Sequence, residues 1–194
     1  MNIFYLHYDP QICAMYHLDR HCVKMILETC QLLCTAIWLT LSKDELNKNP
    51  PVCKATHKNH PSAIWPRERK ENWLWLQSLG LELCKEYTFR YNKKHKYEEF
   101  LEKLIVPTEL PNLAFTEPIP AMPLLYKKET SIESYRTYYS LGKAHLHFWK
   151  NRHAWKNRSI PEFIFDILSK HGKDHEKYAQ FAKTTESSEN WPLE

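Results

Sequence analysis

The sequence predicts a mainly α fold, a single-domain helical fold with a short N-terminal β-strand or hairpin. Three observations point there. Only 3 glycines occur in 194 residues, which leaves few tight hairpin turns. Residues 20–40 contain neither Gly nor Pro and are rich in Leu, Ile and Met. Helix-start signals recur along the chain, at Asp9-Pro10, Pro66 and Ser131.

Residues 2–8 form an apolar and aromatic run without helical spacing and read as an isolated or edge strand. Asp9 can cap a helix over residues 10–18, with Pro10 at its first position. Asp19 either caps a second helix or lies inside a continuing first one, and residues 20–40 are helical in both cases. Residues 42–52, with Asn49-Pro50-Pro51, read as loop, continued by residues 56–61. Pro66 is placed at the first position of a long helix ending near residues 91–94, and residues 97–105 form a short one. Residues 107–123 carry Pro107, Pro111, Pro118, Pro120 and Pro123 and must be extended loop. Ser131 is expected to cap a helix running to Trp155, and Pro161 opens a last helix over residues 160–171. The expected domain covers residues 1–183, followed by a polar tail over residues 184–194.

Composition narrows the chemistry. No Gly-rich phosphate loop of the G-x-G-x-x-G or Walker type is present. The formal charge of +4, with 11 His besides, permits a nucleic-acid partner without requiring one. The six cysteines include no C-x-x-C pair, and Cys30 and Cys34 sit at core-packing spacing on one helix. They are read as free thiols of a reducing compartment. The start of the chain lacks the basic and apolar regions of a signal peptide, and no membrane span is expected.

Residues 17–40 carry the sharpest signal. On a helical wheel His17, His21, Lys24, Glu28, Gln31 and Thr35 fall in a sector of about 80°. Nearly every other position from Cys22 to Ile37 is apolar. A charge buried in such a helix is costly unless it is paired or faces a hydrated cleft, and the i, i+4 spacing lets Lys24 and Glu28 pair. The stripe is therefore either the floor of a cleft or the solvated side of a bundle helix. His21, Lys24 and Glu28 are the candidate catalytic groups, with Gln31 beside them.

Other groups could complete a site. His57 and His60, with His17, His21 and Glu28, could hold a divalent metal, although H-x-x-x-H spacing alone is a weak signal. Arg67 and Asn72 lie in the expected first turn of the long helix, where anions are favoured, or simply in a solvated turn. Arg90, Arg136 and Lys143 stand among interleaved aromatics and cations and are candidate phosphate contacts. Phe115 is either a stacking wedge on a lid or the residue that fixes the proline-rich loop to the body.

These blocks together resemble a family of small uncharacterised proteins of tailed phages and large DNA viruses. The resemblance rests on Asp9-Pro10, Asp19 with His21, Lys24-Met25-Ile26-Leu27-Glu28 and Gln31-Leu32. It continues through Thr56-His57, His60-Pro61, Trp65, Arg67, Asn72, Trp75-Leu76, Glu86-Tyr87-Thr88 and Arg90-Tyr91. Phe115-Thr116, Ala121-Met122-Pro123, Tyr135-Arg136, Tyr138-Tyr139 and Lys143 complete it, over roughly residues 2–163. The stretch from His145 to Arg158 is longer than the family pattern. The resemblance implies a viral gene in DNA or nucleotide metabolism, acting in the cytoplasm of an infected host cell.

The leading expectation is an enzyme acting on a base or sugar of nucleic acid, in a glycosylase/lyase-like or base-modifying way. Lys24, with a depressed pKa, is then nucleophile or phosphate anchor, Glu28 the acid/base or oxocarbenium stabiliser, and His21 positions it. His57, His60, Arg67 and Asn72 are expected on the opposite wall. No cofactor is required in this reading. The alternatives are a metal-dependent hydrolase and a non-catalytic nucleic-acid-binding or host-inhibitory protein.

Overall fold

The structure, a computed structural model, describes residues 1–150 and 152–171. The expected end of the domain at residue 183 and the tail over 184–194 lie outside the described residues. The fold is mainly α, with eight helices among the described residues and one two-stranded sheet.

The N-terminal segment is extended and buried but pairs with no strand among the described residues. Phe4 takes a left-handed backbone conformation, φ 52°, which breaks any ladder. The Asn2 side-chain oxygen accepts from the amides of Ile3 and Phe4, and the Cys13 sulfur from that of Leu6. Side chains thus supply the acceptors that a neighbouring strand would have supplied.

Helix α1 (Pro10–Tyr16) starts where Asp9 accepts from the Gln11 and Ile12 amides. The chain then breaks at His17 and Leu18, both extended, and α2 (Asp19–Thr40) begins. By length and apolarity α2 could cross a membrane; here most of it is covered, chiefly by α4 and α5. Residues 42–52, expected as loop, hold a short helix, α3 (Lys43–Lys48). Ser42 and Glu45 form a capping box there, a spacing the sequence carries.

Helix α4 (Pro61–Glu68) starts at Pro61, not at Pro66, because His60 accepts from the Ser62 amide as its cap. The long α5 (Lys70–Tyr91) follows after a break at Arg69 and ends at Asn92 in the left-handed region. α5 crosses α2 closely enough at Gly80 that an added Cβ would lie 2.8 Å from Thr29 Cγ2. α6 (Glu98–Lys103) leads into the extended proline-rich segment.

The expected helix from Ser131 to Trp155 is cut short. Thr130, not Ser131, caps α7 (Ser131–Thr137), in a capping box with Glu133. A π-helical turn, Tyr138–Gly142, and a 3-10 turn, Ala144–Leu146, follow. β1 (Phe148–Trp149) and β2 (Arg152–His153) then form an antiparallel hairpin. The reason is tertiary. The chain folds back onto the start of α2, where Ala154 O accepts from the Asp19 amide and the Lys156 amide donates to the Asp19 carboxylate. Trp155 Nε1 donates to Tyr16 O in the same contact. α8 (Glu162–Lys170) closes the described chain.

Candidate functional site

The α2 stripe opens into a polar cavity of about 220 Å³ between α2, the N-terminal segment and the π-helical turn. His21, Lys24 and Glu28 line one side, Asn2 and Phe4 another, and Tyr138 and Lys143 the third. His21, Lys24 and Lys143 also border an adjoining cleft of about 630 Å³ that continues past Asp19, Arg20 and Tyr91. The three expected catalytic groups and one expected phosphate contact therefore share one cavity.

Glu28 is only 8% exposed and fixed at both oxygens. Oε1 lies 3.0 Å from Lys24 Nζ, and Oε2 accepts from the Asn2 amide at 3.1 Å. The Lys24 side chain is 67% exposed. Its amine stands in water at the cavity mouth, which suits an anchor for an anion and not the desolvated nucleophile of the expectation.

His21 has a defined tautomer. Tyr139 Oη accepts from the Leu18 amide at 2.8 Å and lies 2.9 Å from His21 Nδ1. The Leu18 amide can only donate, so His21 Nδ1 is the partner left to accept the buried phenol proton, and Nε2 then carries the imidazole N–H. Burial pulls the His21 pKa down to about 2, assisted by neighbouring His17 and by Lys143 and Lys24. The ring is neutral near pH 7 and offers the cleft a hydrogen-bond donor. It stacks on Phe4 at 4.4 Å and 18°. That stack, the edge contact of Phe4 with Tyr139 and the Asn2 hydrogen bonds hold Phe4 in its strained backbone conformation.

The remaining expected residues lie elsewhere. Gln31 is half-buried on the same helix but does not line the cavity. His57 is exposed, with Nδ1 on Thr56 Oγ1 at 2.7 Å. His60 caps α4; burial lowers its pKa, while Glu28 is near enough to pull it the other way. Arg67 does not hold an anion at a helix start: its guanidinium donates to the carbonyls of Lys58 and Ala63. Asn72 is buried and pins the proline-rich segment, accepting from the Thr116 amide and donating to Thr116 Oγ1 and Trp65 O. Phe115 packs among Tyr5, Trp65 and Trp75 and fixes that segment to the body.

Two expected phosphate contacts are corrected. Arg90 is 1% exposed and committed to Asp19 at 2.9 Å, Glu86 at 2.7 Å and Met15 O. Arg158 closes the network on Glu86 at 2.8 Å. These charges keep Glu86 below the ordinary carboxylate range, although burial pushes it upward. Arg136 donates to Leu6 O at 2.8 Å and stacks over Phe163 and Tyr16. Both arginines hold segments together.

The expected metal set does not assemble. His17 is fully buried behind the cavity, its Nδ1 on Cys13 O, and burial lowers its pKa to about 4. His57 and His60 are turned to their own loop. Among the described residues, the ligand atoms that do converge belong to Cys30, Cys34 and Cys53.

No protein-family model, curated protein or solved structure matches the chain.

Sequence reasoning missed Asn2, Phe4 and Tyr139. Tyr139 left a trace as one of two adjacent tyrosines beside Arg136. The backbone turn at Phe4 left none, because its φ depends on what Asn2, His21 and Tyr139 do around it.

Proposed function

We propose that the cavity takes one nucleotide unit of a nucleic acid and that Glu28 acts on its base or sugar. Lys24 and Lys143 bind the phosphate at the mouth. Glu28 serves as acid/base or as the carboxylate that stabilises an oxocarbenium-like transition state. His21 Nε2–H orients the bound group as a neutral donor. The resemblance to viral proteins supports DNA metabolism in an infected cell as the setting.

One observation carries this reading. A buried carboxylate held by an amide and a lysine faces a small polar cavity that a second lysine also lines. Such a carboxylate is costly to retain without use or compensation.

The test uses the whole chain with labelled single- and double-stranded DNA and RNA over a salt series, and a strand-cleavage and base-release assay. Lys24→Ala and Lys143→Ala should each weaken binding and lower the salt slope by about 1. Glu28→Gln should leave binding intact and reduce turnover by about 10²–10⁴-fold. Absence of nucleic-acid binding at low salt refutes the reading. Binding without turnover in wild type leaves a binding protein and refutes the enzyme.

A further inference from the structure

We propose that Cys30, Cys34 and Cys53 form a second site, a tri-thiolate centre for one thiophilic cation of the Zn²⁺ or Cu⁺ kind. The three sulfurs point at one another. Cys30 Sγ lies 4.0 Å from Cys34 Sγ and 3.9 Å from Cys53 Sγ, and all three fall within 4.8 Å. An ion bound to thiolates at about 2.3 Å sets its sulfurs about 3.8 Å apart when tetrahedral and about 4.0 Å apart when trigonal. The two edges at Cys30 already have those lengths, and the third lies within 4.8 Å.

The other three cysteines behave differently. Cys13 exchanges hydrogen bonds with the Leu6 amide and Phe4 O, and Cys22 donates to Leu83 O. Cys84 has no sulfur neighbour in such a group. Only the cluster brings thiols together, and it does so across two separate segments. Cys30 and Cys34 stand one turn apart on α2, on the side away from the Glu28 stripe. Cys53 comes from the segment between α3 and α4.

The surroundings fit a thiolate centre. The backbone of Val52 and Cys53 comes close enough to the Cys34 sulfur to favour its thiolate form, as an outer-shell contact to a ligating sulfur does. Trp38 Nε1 donates to Cys53 O at 2.8 Å, and Thr35 Oγ1 accepts from the Thr56 amide at 3.1 Å. Cys53, 9% exposed where Cys30 and Cys34 are 0%, is the outermost of the three sulfurs and marks the way in. Soft sulfur ligands select Zn²⁺ or Cu⁺ over Mg²⁺ or Ca²⁺. Binding converts each thiol to a thiolate and releases its proton to solvent, with no change of oxidation state. The bound ion staples the segment carrying His57 and His60 to the back of α2.

The experiment uses the full chain without a histidine tag, reduced and freed of metal under anaerobic conditions. Zn²⁺, Co²⁺ and Cu⁺ are titrated separately. The expected result is one ion per chain, a thiolate-to-cobalt charge-transfer band, protection of three thiols from alkylation and a higher thermal midpoint. Cys34→Ser should abolish the band, whereas Cys84→Ser should keep it. Cu⁺ binding alone assigns the monovalent ion; Zn²⁺ and Co²⁺ binding assigns the divalent one. If Cys34→Ser fails to fold, the wild-type stoichiometry decides. Failure of both Zn²⁺ and Cu⁺ to bind at one ion per chain overturns the proposal. So does a Cys30–Cys53 disulfide formed in the presence of Zn²⁺.

Discussion

Acid should unfold this protein well before its carboxylates are protonated. Three of the buried histidines, His17, His21 and His147, are held as neutral rings. Burial lowers His17 and His147 to about 4 and His21 to about 2. An unfolded chain returns each to about 6.5. Below that pH the unfolded state binds protons that the folded state refuses. Stability is therefore complete above pH of about 6.5 and is lost as the pH falls toward the folded values. Linkage gives about 2 kcal/mol per histidine between neutral pH and pH 5, so up to about 6 kcal/mol for three. Domains have about 5–15 kcal/mol in total. Urea unfolding followed by circular dichroism at steps from about pH 7 to pH 5 should show the midpoint falling steeply. Ring-proton NMR of the folded chain should show all three failing to titrate across that window. Constant stability through it, or a folded-state titration of these rings near 6.5, refutes the reasoning.

Further substitutions probe the framework. Arg90→Met leaves Asp19 and much of Glu86 buried without their cation and should cost about 3–5 kcal/mol in urea unfolding. Gly80→Ala gains helix propensity but drives a Cβ to 2.8 Å from Thr29 Cγ2, and its net loss should be about 1–3 kcal/mol. Adding Thr29→Ser removes that methyl and should restore most of the midpoint. Asn72→Ala strips partners from the Thr116 amide and Trp65 O, costs about 1–3 kcal/mol and should speed proteolysis within residues 107–123.

The α2 stripe was legible because periodicity is a local property. An apolar helix with His21, Lys24 and Glu28 in one sector has few ways to satisfy Glu28, and the fold uses one of them. The same argument treated Lys24 and Glu28 alike, and there it failed. Lys24 has a four-carbon stem that carries its amine to water, while the shorter Glu28 stays at the floor. Arg90 misled for the converse reason. Flanking aromatics and lysines gave it the look of a nucleic-acid contact, but Glu86 one turn back on α5 and the sequence-distant Asp19 both hold it, and the equally distant Arg158 shares Glu86.

The break in the expected helix from Ser131 onward bears most directly on function. Nothing local in Tyr138-Tyr139-Ser140-Leu141-Gly142 forces a π-helical turn. The turn is stabilised by what it reaches: Tyr139 Oη meets the Leu18 amide and His21 Nδ1, and Tyr138 and Lys143 come to the cavity. π-helical turns concentrate at functional sites because they spend backbone regularity to aim side chains. Tyr139 fixes the His21 tautomer from one side of the turn while Lys143 places a cation on the cavity from the other. The cavity is thus made by the irregularity itself, which is why helical periodicity could find its α2 wall and could not find the wall opposite.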